Sequence, residues 1–155
     1  MPKKNIHAYV FGEHGDTSFI PWSGAYVSGV SLDEYYETVE KMGRNVTKID
    51  KDAMLEYVRT SGGQVIANKG ATFYAVSVAV CKLVATILSS SDSVATVSSM
   101  MHGEYGIEDV CLSTLTLVGP KGVQGKIPMR MTKEEVEKLK ASADALKAVI
   151  AQIEH

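Results

Sequence analysis

The residues best suited to chemistry lie in one stretch, His7 to Trp22, which reads HAYVFGEHGDTSFIPW. Its centre is His14, set between Gly12 and Gly15 with Glu13 and Asp16 beside it. An imidazole with an unperturbed pKa of about 6.5 can hold or release a proton near neutrality, so His14 is a candidate general acid or base. The flanking glycines let the chain turn sharply and leave room for a substrate close to the backbone. The alternative is a polar turn whose histidine only hydrogen-bonds the backbone, and the residues alone leave both open.

A second candidate is Asn68-Lys69-Gly70-Ala71-Thr72. Thr72 stands near the start of an apolar helix, where its hydroxyl and the free backbone N–H groups are available to a ligand; ordinary helix capping is the competing reading.

Elements of both kinds are needed to hold these segments. Ala8 to Phe11 is an apolar run of the buried-strand type, and Thr17 to Leu32 reads as a strand or short helix interrupted by Pro21. Acids first and a late lysine predict a helix over 33–42, stopped by Gly43. Asp50 can cap a longer helix that Gly62-Gly63 interrupts, and Gly70 separates it from the apolar run 71–88. That pattern fits one long kinked helix or two stacked ones, with 71–88 in the core. Short β-branched runs at 94–100, 110–118 and 123–131 predict an antiparallel sheet, turned by Gly119-Pro120-Lys121-Gly122. Thr132 and Glu135 have capping-box spacing, and Val136, Leu139, Ala143, Leu146, Ile150 and Ile153 form the apolar stripe of a final helix.

Composition narrows the function. A chain of 155 residues with 45% hydrophobic and 22% charged content has the size and make-up of one globular domain. Sixteen basic against 18 acidic residues give a net charge of -2, and the longest basic cluster is Lys3-Lys4, so nothing recruits nucleic acid. The polar opening MPKKNIH is no secretory signal. The run 71–88 carries Lys82 and falls short of the ~20 residues of a membrane span. Cys81 and Cys111 lie far apart in apolar stretches, which predicts two reduced core thiols and a reducing compartment.

HAYVFGEHGDTSF, NKGATFYAV and the tail YGIEDVCLSTLTLVGPKGVQGKIPMRMTKEEVEKLKASADALKAVI together resemble the C-terminal, substrate-binding part of L-lactate dehydrogenase. The resemblance covers nearly the whole chain, with three segments in the family's order. It implies an α+β fold of antiparallel strands packed with a long kinked helix and a C-terminal helix, forming a single C-terminal catalytic domain over 1–155 without a Rossmann domain. It also implies a cytoplasmic, homo-oligomeric oxidoreductase of glycolysis or fermentation that uses NAD to interconvert pyruvate and lactate. Malate and other 2-hydroxyacid dehydrogenases share the superfamily.

By the same resemblance, His14 is the catalytic acid/base and Thr72 stands beside substrate and nicotinamide. Val76 lines the nicotinamide ring, and His7 matches a position that helps bind fructose 1,6-bisphosphate in allosteric relatives. The chain has no GxGxxG. It starts just before the catalytic strand, after the family's NAD-binding half, substrate-clamping arginine and histidine-orienting aspartate, so a fragment inactive alone is expected. Two other readings are a non-catalytic oligomerisation module and a metal site at His7, Glu13, His14 and Asp16; GEHGD and its spacing argue against metal.

Overall fold

A computed structural model describes residues 3–153. Met1 and Pro2, which begin the polar opening segment, lie outside them. Helices and two small antiparallel sheets build the predicted α+β fold.

The first sheet joins β1 (Ile6–His7), β2 (Tyr26–Val27) and β3 (Val30–Ser31). Ser28 and Gly29 connect β2 to β3 with φ of 50° and 87°, the paired positive angles of a tight hairpin turn. The segment Thr17 to Leu32, open between strand and helix in the sequence, is therefore a short 3-10 turn at Trp22–Gly24 followed by this hairpin. Helix α1 (Leu32–Lys41) starts where Ser31 and Glu34 form a reciprocal capping box. Its Leu32 and Tyr36 pack with Ala25 and Val27 in a small cluster.

Helix α2 (Lys51–Lys69) is capped by Asp50, whose carboxylate accepts the N–H groups of Asp52 and Ala53. It runs unbroken through Gly62 and Gly63, so the interruption expected there does not occur. The break falls at Gly70, which takes a left-handed conformation with φ of 83° that favours glycine. Helix α3 (Tyr74–Leu88) follows, so the long kinked helix resolves into two.

The expectation that 71–88 is core is corrected. No residue of α3 is buried among the described residues, and Val76, Val78, Val80, Val84 and Leu88 are all exposed. Apolar composition commits a helix to burial only where another layer covers it, and the described residues supply none over that face.

The main sheet orders β4 (Ser93–His102), β5 (Glu108–Gly119) and β6 (Gly122–Lys126), antiparallel throughout. Alternation along β5 sends Val110, Leu112 and Thr114 inward and Cys111 outward. Helix α4 (Lys133–Ile150) begins with the predicted Thr132–Glu135 capping box and buries Leu139 and Ala143. These join Phe11, Phe19, Met101, Val110 and Leu112 in the principal core. Each of these buried side chains larger than Ala143 contributes roughly 1.5–3 kcal/mol relative to exposure.

Both cysteines are free, as expected, but exposed and not in the core. Cys81 rides on the uncovered α3, and Cys111 occupies the outward position of β5.

Candidate active site

The predicted strand at 8–11 contracts to an isolated bridge at its end, and that bridge makes the loop. Phe11 and Phe19 exchange backbone hydrogen bonds of 2.8 and 3.0 Å, closing residues 12–18 at the base. Gly12 exchanges two more with Ser113, at 3.1 and 2.9 Å, which anchors the loop to β5. The two phenyl rings meet edge to face in the core beneath. Apolar anchors thus hold the base, while the tip carrying His14 stays in solvent.

Gly12 is required here on two counts. Its φ is 100°, and a Cβ would stand 2.7 Å from the Oγ of Ser142. Ser142 is a fully buried residue of α4, and its Oγ accepts the N–H of Glu13 at 2.8 Å. The Glu13 carboxylate turns back on its own loop, accepting the Thr17 hydroxyl at 2.6 Å and the Thr17 N–H at 3.2 Å. From the other side, Nε of Arg59 on α2 donates to the Ser18 carbonyl at 3.0 Å, and Nη2 donates to the same oxygen.

Between this loop, α2 and the sheet opens a cavity of about 710 Å³. Glu13, His14, Asp16, Arg59 and Thr72 all line it, so residues 58 positions apart in the chain, His14 and Thr72, meet on one wall system. Thr72 sits in the Gly70–Phe73 link between α2 and α3, so the chain break at Gly70 delivers it. Val76 does not line this cavity; it lies exposed in the first turn of α3. His7 is exposed on β1 and lines neither this cavity nor the apolar one of about 300 Å³ beside it, between Tyr9, Trp22, Ile49 and Met54. Among the described residues no group of three His, Cys, Asp or Glu could hold a metal ion, and no helix is long and apolar enough to cross a membrane.

The clearest carboxylate shift at a structural joint belongs to Glu135, which does not line the cavity. Burial pushes its carboxyl up, but hydrogen bonds from Ser23 and Thr132 outweigh this and hold it below the usual carboxylate range. Likewise, burial holds the Lys126 ammonium below the usual lysine range, with Nζ donating to Ser99 O and Oγ at 3.1 and 2.7 Å.

A family model described as the lactate/malate dehydrogenase alpha/beta C-terminal domain matches residues 1–155. The chain belongs to this family. As a lactate/malate dehydrogenase C-terminal domain it is 37% identical over 151 residues to an L-lactate dehydrogenase of Acetivibrio thermocellus, covering 97% of this chain and 47% of the relative. An L-lactate dehydrogenase of Thermoanaerobacterium saccharolyticum is 40% identical over 151 residues, covering 97% and 48%.

Among solved structures, an L-lactate dehydrogenase from Clostridium thermocellum superposes with a TM-score of 0.83 at 36% identity, covering 98% of this chain and 48% of that one. A malate dehydrogenase from Archaeoglobus fulgidus, in complex with NADH, gives 0.80 at 28% identity, covering 97% and 45%. The chain thus spans about half the length of the relatives it matches. The family and the α+β fold expected from the motifs are both borne out.

Sequence reasoning missed Ser142 and Arg59. Ser142 left a signal: it lies three residues after Leu139 and next to Ala143, on the apolar stripe of the last helix. A hydroxyl on a buried stripe must find a partner, so the loop contact was open to inference. Arg59 left none, since nothing separates it in sequence from any solvated arginine on a helix.

Proposed function

We propose that this chain is the substrate domain of an NAD-dependent L-lactate dehydrogenase, with His14 as the group that moves the proton. The observation supporting it most directly is the convergence of His14 and Thr72 on one cavity, in a chain whose relatives are L-lactate dehydrogenases.

In the reducing direction the imidazolium of His14 donates its proton to the carbonyl oxygen of a 2-oxo acid such as pyruvate. In the oxidising direction the neutral ring accepts the hydroxyl proton of lactate, so one group serves both. Thr72 offers a hydroxyl to the substrate from the opposite chain segment. The loop fixes where the imidazole stands, which supplies the orientation part of catalysis.

NADH, when bound, supplies the hydride that the carbonyl carbon receives. Val76 suits the nicotinamide end of such a cofactor, because it is 53% exposed and apolar, in the first turn of the helix that follows Thr72. No glycine-rich phosphate turn occurs in these 155 residues, so the chain alone is expected to turn a 2-oxo acid over poorly.

Pyruvate-dependent oxidation of NADH tests the reading. Assembled with a cofactor-binding half, the chain should reduce pyruvate, and His14→Asn should lower kcat by about 10²–10⁴-fold. Turnover untouched by His14→Asn would remove His14 from the reaction. The similarity to the Archaeoglobus malate dehydrogenase favours a second reading, in which oxaloacetate replaces pyruvate. Comparing kcat/KM for the two acids separates them.

A further inference from the structure

We infer that Ser142, on the C-terminal helix, is a positioning residue that sets where the His14 imidazole stands. The inference rests on the proposed acid/base role of His14, and its own basis is hydrogen-bond geometry.

The loop from Gly12 to Ser18 has its apolar anchors at the base only, through Phe11 and Phe19. Its path above the base depends on polar groups. A hydroxyl carries one proton, and that of Thr17 goes to the Glu13 carboxylate at 2.6 Å, the shorter and charge-assisted contact. The 3.0 Å contact between the hydroxyls of Thr17 and Ser142 is then filled by the proton of Ser142. Ser142 therefore accepts from the Glu13 N–H and donates to Thr17 Oγ1, gripping the residue just before His14 and the one three after it. With the Glu13 carboxylate accepting from Thr17, the contacts close a ring around the loop.

The ring is tight as well as complete. Ser142 is 0% exposed, so no solvent molecule replaces the lost bonds cheaply. Gly12 brings the backbone so near that a Cβ would stand 2.7 Å from the Ser142 Oγ. Arg59 holds the far end of the loop through the Ser18 carbonyl. Ser142 touches no reacting atom, since it does not line the cavity, and acts through the backbone that carries the imidazole.

The test combines kinetics of the assembled dehydrogenase with NMR of the 155-residue chain. Ser142→Ala should lower kcat for pyruvate at least tenfold with KM changed less than threefold, and should shift the pH profile of kcat. On the chain, amide exchange at Glu13 should accelerate at least tenfold and the His14 ring signals should move. Ala143→Gly, next along the same helix but without a contact to the loop hydroxyls, serves as the control for lost stability.

Thr17→Val, at a half-buried position, breaks the same ring from the loop side and should reproduce the effect in weaker form. Equal kcat losses in Ser142→Ala and Ala143→Gly, or an unchanged pH profile and unchanged His14 signals in Ser142→Ala and Thr17→Val, would overturn the inference. If the His14 signals respond as expected while His14→Asn leaves turnover intact, the positioning stands and the acid/base role of His14 fails.

Discussion

The carboxylate of Glu135, in the first turn of α4, receives both the N–H and the hydroxyl of Ser23, a residue 112 positions earlier. The same carboxylate accepts the Thr132 N–H at 2.8 Å, completing the capping box, so one side chain starts a helix and fastens it to the turn that follows the His14 loop. Glu135→Ala should therefore cost about 1–3 kcal/mol, more than loss of a cap alone, because the N–H and hydroxyl of Ser23 lose their partner as well. Urea denaturation measures it, and Glu135→Gln should retain part of the stability.

The sign of the pH effect follows from the depressed carboxyl of Glu135. Its stabilisation is fully present above the unfolded value near 4.5 and is lost as pH falls through the lower folded value. Thermal melts from pH 6 downward should show Glu135→Gln with a shallower acid limb than the unsubstituted chain, and parallel limbs would count against the assignment.

Gly12→Ala should fail for a reason distinct from lost hydrogen bonds. The substitution forces a Cβ onto a backbone at φ of 100° and against a buried hydroxyl. A cost above about 2 kcal/mol follows from the strain and overpacking together. Relief by the double change Gly12→Ala with Ser142→Gly would show which part is steric, and differential scanning calorimetry reads both.

Tyr105 and Met129 form a reciprocal pair. The phenol donates to the Met129 carbonyl at 3.0 Å and accepts the Met129 N–H at 2.7 Å, and burial pushes its pKa up. Tyr105→Phe should cost about 1–3 kcal/mol, since two backbone groups lose their partner at once. Chemical denaturation with unchanged m-value is the expected signature.

The two thiols should titrate fully with a disulfide reagent in the folded 155-residue chain, without denaturant, because Cys81 and Cys111 are both exposed. A slow phase that denaturant accelerates would place one of them in a covered site.

How far the sequence carried depended on which physical signals are local. The α4 capping box, the strands β4 and β5 and the stop at Gly70 follow from local signals and were legible, whereas the third strand, expected over 123–131, ends at Lys126. His14 and Thr72 were singled out through their motifs, and both line the same cavity. The burial of α3 was misjudged because hydropathy reports what a helix needs, whereas exposure depends on a covering layer that composition cannot supply. Cys111 was misjudged because an apolar neighbourhood in sequence says nothing about which of two faces an odd-numbered strand residue takes. Gly62 and Gly63 were read as a break, yet glycine within a helix costs only about 1 kcal/mol each, which a 19-residue helix absorbs. Ser142 and Ser23 were missed because their partners lie more than 100 residues away.

The Ser142 contact spans 129 positions, from the last helix of the described chain back to its first loop. A ribosome releases the N-terminal residues long before α4 exists, so the loop bearing His14 must wait, unfastened, until synthesis of the domain is nearly finished. Such sequence-distant closure is also slow in refolding, since its loop entropy is met before any reward. Seating of the His14 loop is thereby made contingent on synthesis through α4, and a chain stopped short of residue 142 has the histidine without its seat.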